Sequence, residues 1–114
     1  MKEAREYCMV LTTCPSREEG DRIAGLLVEG RLAACVQMAD IRSCYLWKGA
    51  VNREAETLLI IKAAVPNYPA IESCILEHHS YEVPEVAMLP LSGGSAAYLA
   101  WIDARGLDVD HPAH

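Results

Sequence analysis

Apolar positions along the chain switch between two spacings, and the switches mark out the elements. Residues 5–13, REYCMVLTT, mix β-branched, aromatic and aliphatic side chains in one short run and predict a first strand. CPSREEG follows, in which Ser16 can cap a helix and Glu19, three residues on, can close a capping box. Ile23, Leu26, Leu27 and Gly30 recur at helical spacing, with Gly30 in the left-handed position that commonly ends a helix. Gly20 and Gly25 each cost this helix about 1 kcal/mol against alanine, so packing must hold it together.

Residues 32–49 are long, apolar and poor in helix caps, and predict an extended strand with an irregularity near Asp40. Gly49 marks a turn, and ETLLIIKAAV, 56–65, predicts a second strand paired antiparallel with the preceding one. In the next segment Asn67 is placed to cap a helix and Pro69 suits its first turn. Ile71, Cys74, Ile75 and His78 mark one face, and the helix should stop near Ser80, ahead of Pro84. Residues 83–91 predict a further strand. A last helix runs from a cap at Ser95 to Gly106, and the polar tail 107–114 should fray.

The order is β-α-β-β-α-β plus a terminal helix, which predicts an α+β, ferredoxin-like sandwich in one domain over residues 1–114. Helices cover one face of such a sheet. Strand 56–65 is apolar on both sides, so its second face should be covered by another copy of the chain.

Composition narrows the partners. Apolar residues make up 52% of a 114-residue chain, high for so small a domain and in keeping with a subunit interface. The formal charge is −6 and Lys and Arg stand singly, which argues against a nucleic-acid or anionic membrane partner. No run of about 18 apolar residues is present to span a bilayer, and the first apolar stretch is short and charge-flanked, unlike a signal peptide. Five cysteines form no CxxC pair, so free thiols in a reducing, cytoplasmic setting are expected.

The chemistry concentrates in CILEHHSYEVPE, residues 74–85. Cys74 and His78 are four apart, so on a helix both can reach one ion, and thiolate with imidazole suits copper or zinc. Both also lie on the apolar stripe, where a small core thiol and a hydrogen-bonded histidine serve equally well. His79 points about 100° away from His78 and is expected near the last carbonyls of the helix. Tyr81, Glu82, Pro84 and Glu85 offer either an acid–base set with His79 or a hydrogen-bonded corner. Cys14, just ahead of a helix start, is placed where a thiol pKa can fall, although an inert thiol is the simpler reading; Cys35 reads as core. GxGxxG, Walker, GxSxG and HExxH motifs are absent, and nothing activates a nucleophile, so turnover is not expected. His111 and His114 in the tail signify little more than adventitious metal contacts.

Three stretches, VLTTCPSREEGDRIAGLLVEGRLAACV, YLWKGAVNREAETLLIIKA and HHSYEVPEVAMLPLSGGSAAYLAWI, together resemble CutA, the divalent-cation tolerance family. The resemblance covers about residues 8–103 and rests on LAAC, on Trp47 with Gly49, on Glu54 and Glu56, on H-x-YE-x-PE and on YL-x-W. It implies a homotrimer of ferredoxin-like subunits that binds copper or another divalent metal ion. Carried over by position, it implies Cys74 and His78 as ligands, with Cys35, His79 and Glu85 as second choices. Ser80 replaces a proline found in many members, and Thr12 stands where some bacterial members carry a further cysteine, with Cys14 two residues on. A different resemblance, to the trimeric PII nitrogen-regulatory proteins, implies instead a small effector in a cleft lined by Tyr45, Trp47, Tyr81, Glu85 and Trp101.

Overall fold

The computed structural model describes residues 6–106, so the tail expected over 107–114 lies outside the described residues. The elements are β1 (Tyr7–Cys14), α1 (Arg17–Glu29), β2 (Cys35–Trp47), β3 (Ala50–Ala64), a 3-10 turn (Val65–Asn67), α2 (Tyr68–His78), β4 (Ala87–Leu91) and α3 (Ala96–Arg105). All strand pairs are antiparallel, in the spatial order β2-β3-β1-β4. This is the ferredoxin-like arrangement expected from the element order.

Strand periodicity builds the core. Cys8, Val10, Thr12 and Cys14 of β1 face one side and are fully buried. Their register partners Ala63, Ile61, Leu59 and Thr57 on β3 lie on the same side. Ile23, Ala24 and Leu27 of α1 and Ile71 and Ile75 of α2 close over them. Each large aliphatic side chain buried here stabilises the fold by roughly 1.5–3 kcal/mol. The opposite face carries Met9, Leu11, Leu58 and Ile60, all half-buried. Near its end Lys62 lies 5.9 Å over the Tyr98 ring of α3.

Several local expectations are corrected. Ser16 does cap α1, its hydroxyl accepting from the Glu19 N–H at 3.2 Å, and Ser95 caps α3 in the same way. The Glu19 carboxylate, however, turns away from the cap to accept from the Ser80 N–H at 3.0 Å, so the box is only half used. Gly30 stays right-handed (φ −78°), and Arg31 takes the left-handed conformation instead (φ 59°). That geometry aims the Arg31 guanidinium at the carbonyls of Ala104 and Arg105, tying the end of α3 to the end of α1.

β2 shows no irregularity at Asp40, which pairs in register with Thr57 while its carboxylate is held by Arg17 on α1. β3 begins at Ala50, six residues before the expected start at 56, because Lys48 and Gly49 both adopt positive φ and make a tight hairpin turn. Beyond the Cys14–Thr57 pair this hairpin runs on without β1 beside it, and Leu46 and Val51 near its tip are 70% and 64% exposed. The Asn67 side chain does not cap α2: it sits in the 3-10 turn, buried, with neither amide atom partnered among the described residues. β4 is confined to Ala87–Leu91, four residues short of the expected start at 83, and as an edge strand it carries Pro90 within its ladder.

Candidate functional site

α2 ends at His78, and His79 adopts an extended backbone (φ −84°, ψ 141°) that swings its ring out of the helix. The ring lands, fully buried, where β1 hands over to α1. Its Nε2–H donates to the Thr13 carbonyl at 2.7 Å, and its Nδ1 accepts from the Tyr81 N–H at 3.0 Å. This pattern assigns a neutral ring with the proton on Nε2. His79 therefore serves the end of β1, not the last carbonyls of its own helix.

Two further donors converge on that ring. Cys14 Sγ lies 3.9 Å from Nε2, and Glu19 Oε2 lies 3.4 Å from Nδ1. Cys14, Glu19 and His79 thus each offer one ligand atom within 4.8 Å of one another, the one such group of three among the described residues. Sulfur, imidazole nitrogen and carboxylate oxygen together form a borderline-soft set that suits copper or zinc.

The electrostatics at Cys14 agree with the inert reading and not with a lowered pKa. Burial pushes its thiol up to about 11, the Glu19 and Glu56 carboxylates add to the rise, and Arg22 opposes it. The start of α1 is close, but desolvation and two anions outweigh it. For Glu19, burial works to raise the carboxyl pKa, yet the hydrogen bond from the Ser80 N–H and the charge of Arg22 hold it below the usual value.

The residues expected as ligands are dispersed. His78 Nδ1 donates to the Cys74 backbone carbonyl at 3.0 Å, so this pair meets through the main chain as well as through helical spacing. Cys74 is half-buried, its thiol raised by burial and then by Glu77. Cys35 opens β2 opposite Lys62, half-buried, and Glu85 is exposed in the loop before β4. Of the five expected ligands, His79 alone joins the three-donor group. The sequence offers Glu19 only as a capping residue, and Cys14 as either a thiol of lowered pKa or an inert one. In the chain the two are close, since both flank the Pro15–Ser16 helix start.

Tyr81 carries the corner into a second feature. Its ring packs 4.9 Å from that of His79, and its hydroxyl donates to Glu56 Oε2 at 2.7 Å. Burial first, then the Glu56 carboxylate, raises the Tyr81 phenol well above its ordinary value. Beyond it opens a cleft of 680 Å³ between the β2–β3 hairpin and the loop before β4, with Tyr45, Trp47 and Glu85 on its walls. Trp101 is not among them: it stacks on Tyr98 within α3, with Arg105 4.4 Å over its ring.

Comparison with known proteins gives a consistent picture. The CutA1 divalent ion tolerance protein family model matches residues 8–105. The chloroplastic CutA 1 protein of Oryza sativa is 42% identical over 95 residues, 82% of this chain and 54% of that protein. The chain thus spans about half the length of the plant relatives it matches. The divalent-cation tolerance protein CutA of Pectobacterium atrosepticum is 36% identical over 97 residues, 84% of this chain and 88% of its own. The crystal structure of CutA1 from Oryza sativa superposes with a TM-score of 0.87 at 39% identity, covering 90% of this chain and 94% of that one.

Proposed function

Because the chain belongs to the CutA1 divalent ion tolerance family, we propose that it binds a divalent metal ion at the Cys14–Glu19–His79 group, as a homotrimer and without turnover. The observation that carries the metal reading is the convergence of sulfur, nitrogen and oxygen donors within 4.8 Å at one corner. Copper or another borderline-soft ion fits that set. When bound, the ion supplies a positive charge that compensates the Cys14 thiolate and the Glu19 carboxylate. Uptake requires Cys14 to lose its proton and His79 to release one of its two backbone partners, so affinity rises with pH.

Cys74 and His78 are the second candidate pair, supported by their matching positions in the family resemblance. Cys35 and Glu85 stay outside the proposed set. The homotrimer is supported by the apolar sheet face of Met9, Leu11, Leu58 and Ile60 and by the exposed Leu46 and Val51 on the hairpin. A cytoplasmic setting agrees with five free thiols. Copper titration of Cys14→Ser with His79→Ala, against Cys74→Ala with His78→Ala, tests the site. Unchanged affinity in the first pair would move it off this corner.

A further inference from the structure

The cleft beside Tyr81 has a chemistry of its own, distinct from the donor group at His79. Its carboxylates are Glu54, Glu56, Glu82 and Glu85, and among the described residues no Lys, Arg or His lines it. Its aromatic walls are Tyr45, Trp47 and Tyr81. We propose that this cleft binds small organic cations, molecules carrying one or more protonated amines.

Glu56 is the reason to look for a cation. It is only 8% exposed, and the side chain that holds it is the neutral phenol of Tyr81. A buried carboxylate whose partner carries no charge lacks the compensation that such groups ordinarily have. The Tyr81 hydroxyl keeps its proton, because burial and then the Glu56 carboxylate both oppose its ionisation. It therefore acts as a fixed donor that orients the carboxylate. Tyr45 is raised likewise, by desolvation and then by the Glu54 carboxylate.

The rings decide what kind of cation. Calcium or magnesium favours a shell of oxygen ligands and gains little from aromatic walls. A protonated amine gains from both, donating to carboxylates while its charge and adjoining CH2 groups lie against ring faces. The cleft volume of 680 Å³ falls in the range of small-molecule sites. Glu82 and Glu85, exposed beside the buried Glu56, attract cations to the cleft and repel anionic effectors.

Calorimetric titration of the purified protein with spermidine, choline, magnesium chloride and glutarate tests the proposal. Spermidine and choline should bind saturably and more weakly as sodium chloride rises, whereas glutarate should give no signal. Glu56→Gln, which retains an oxygen acceptor for Tyr81, and Glu54→Gln should each weaken amine binding about tenfold or more. Trp47→Ala, with circular dichroism and light scattering confirming that fold and assembly are kept, should weaken it as well. Cys14→Ser should leave amine affinity unchanged, which separates this site from the metal group. Absence of saturable amine binding overturns the proposal. So does amine binding that persists in the Glu54→Gln, Glu56→Gln double variant, or saturation by magnesium alone.

Discussion

Glu19, in the first turn of α1, and His79, just past the end of α2, meet with a carboxylate oxygen 3.4 Å from the ring Nδ1. The same oxygen accepts from the Ser80 N–H, and the same nitrogen accepts from the Tyr81 N–H. With the Thr13 carbonyl on Nε2, one imidazole joins β1, α1 and the loop to β4. This corner sets the candidate metal ligands and positions Tyr81 for the neighbouring cleft.

Replacing His79 by alanine should destabilise the fold by about 2–4 kcal/mol, since it leaves a cavity and orphans the Thr13 carbonyl and Tyr81 N–H. Urea unfolding monitored by circular dichroism should show a lower midpoint with an unchanged slope. A midpoint equal to that of the unmodified protein would show that the corner contributes nothing to stability.

Copper affinity should fall about tenfold or more in Cys14→Ser, and fall less in Cys74→Ala. Competition with a chromophoric chelator at fixed pH gives both numbers. If the larger loss belongs to Cys74, the helix pair is the site and the corner is structural.

Thiol reactivity should rank by burial. Cys44 is exposed, whereas Cys8 and Cys14 are fully buried and pushed by burial from 9.0 to about 11. Iodoacetamide labelling near neutral pH, followed by peptide mapping, should modify Cys44 first and Cys8 and Cys14 last. Early labelling of Cys14 would contradict the thiol environment described above.

The same two thiols set an alkaline limit. In the unfolded chain they ionise near 9.0, while in the folded chain they hold their protons until about 11. Between those values the unfolded state binds fewer protons, so stability is intact below pH 9 and is lost progressively as pH rises to about 11. Each thiol accounts for up to about 2–3 kcal/mol of that loss. The unfolding free energy of Cys8→Ala should have a visibly shallower slope over this interval.

Oligomerisation should depend on the uncovered sheet face. Light scattering at micromolar protein should report a trimer. Ile60→Glu, at a half-buried position on that face, should shift it to monomer without changing the circular dichroism spectrum. A monomeric unmodified protein would remove the trimer proposal and leave the metal group untouched.

Much of this architecture is legible in the sequence, because the information is local. Period-two runs in β1 and β3, the Ser16 and Ser95 caps and the stripe of Ile71 and Ile75 are each set by residues a few positions apart. Their order specifies the ferredoxin-like sandwich, and the two-sided apolar run of 56–65 specifies its apolar second face. Where local signals compete, tertiary contacts decided. Arg31 accepts a left-handed backbone and binds the end of α3, Asp40 remains in its ladder beside Arg17, and Asn67 gives up its cap to a 3-10 turn. The candidate site belongs to the same class. Cys74 and His78 look like partners because helical spacing is visible in a string of letters. Cys14, Glu19 and His79 lie on three segments, brought together only when α2 packs beside α1 and the residue just past its end turns inward. Burial, which raises the Cys14 thiol, likewise belongs to the assembled core and not to the residues around it in the chain.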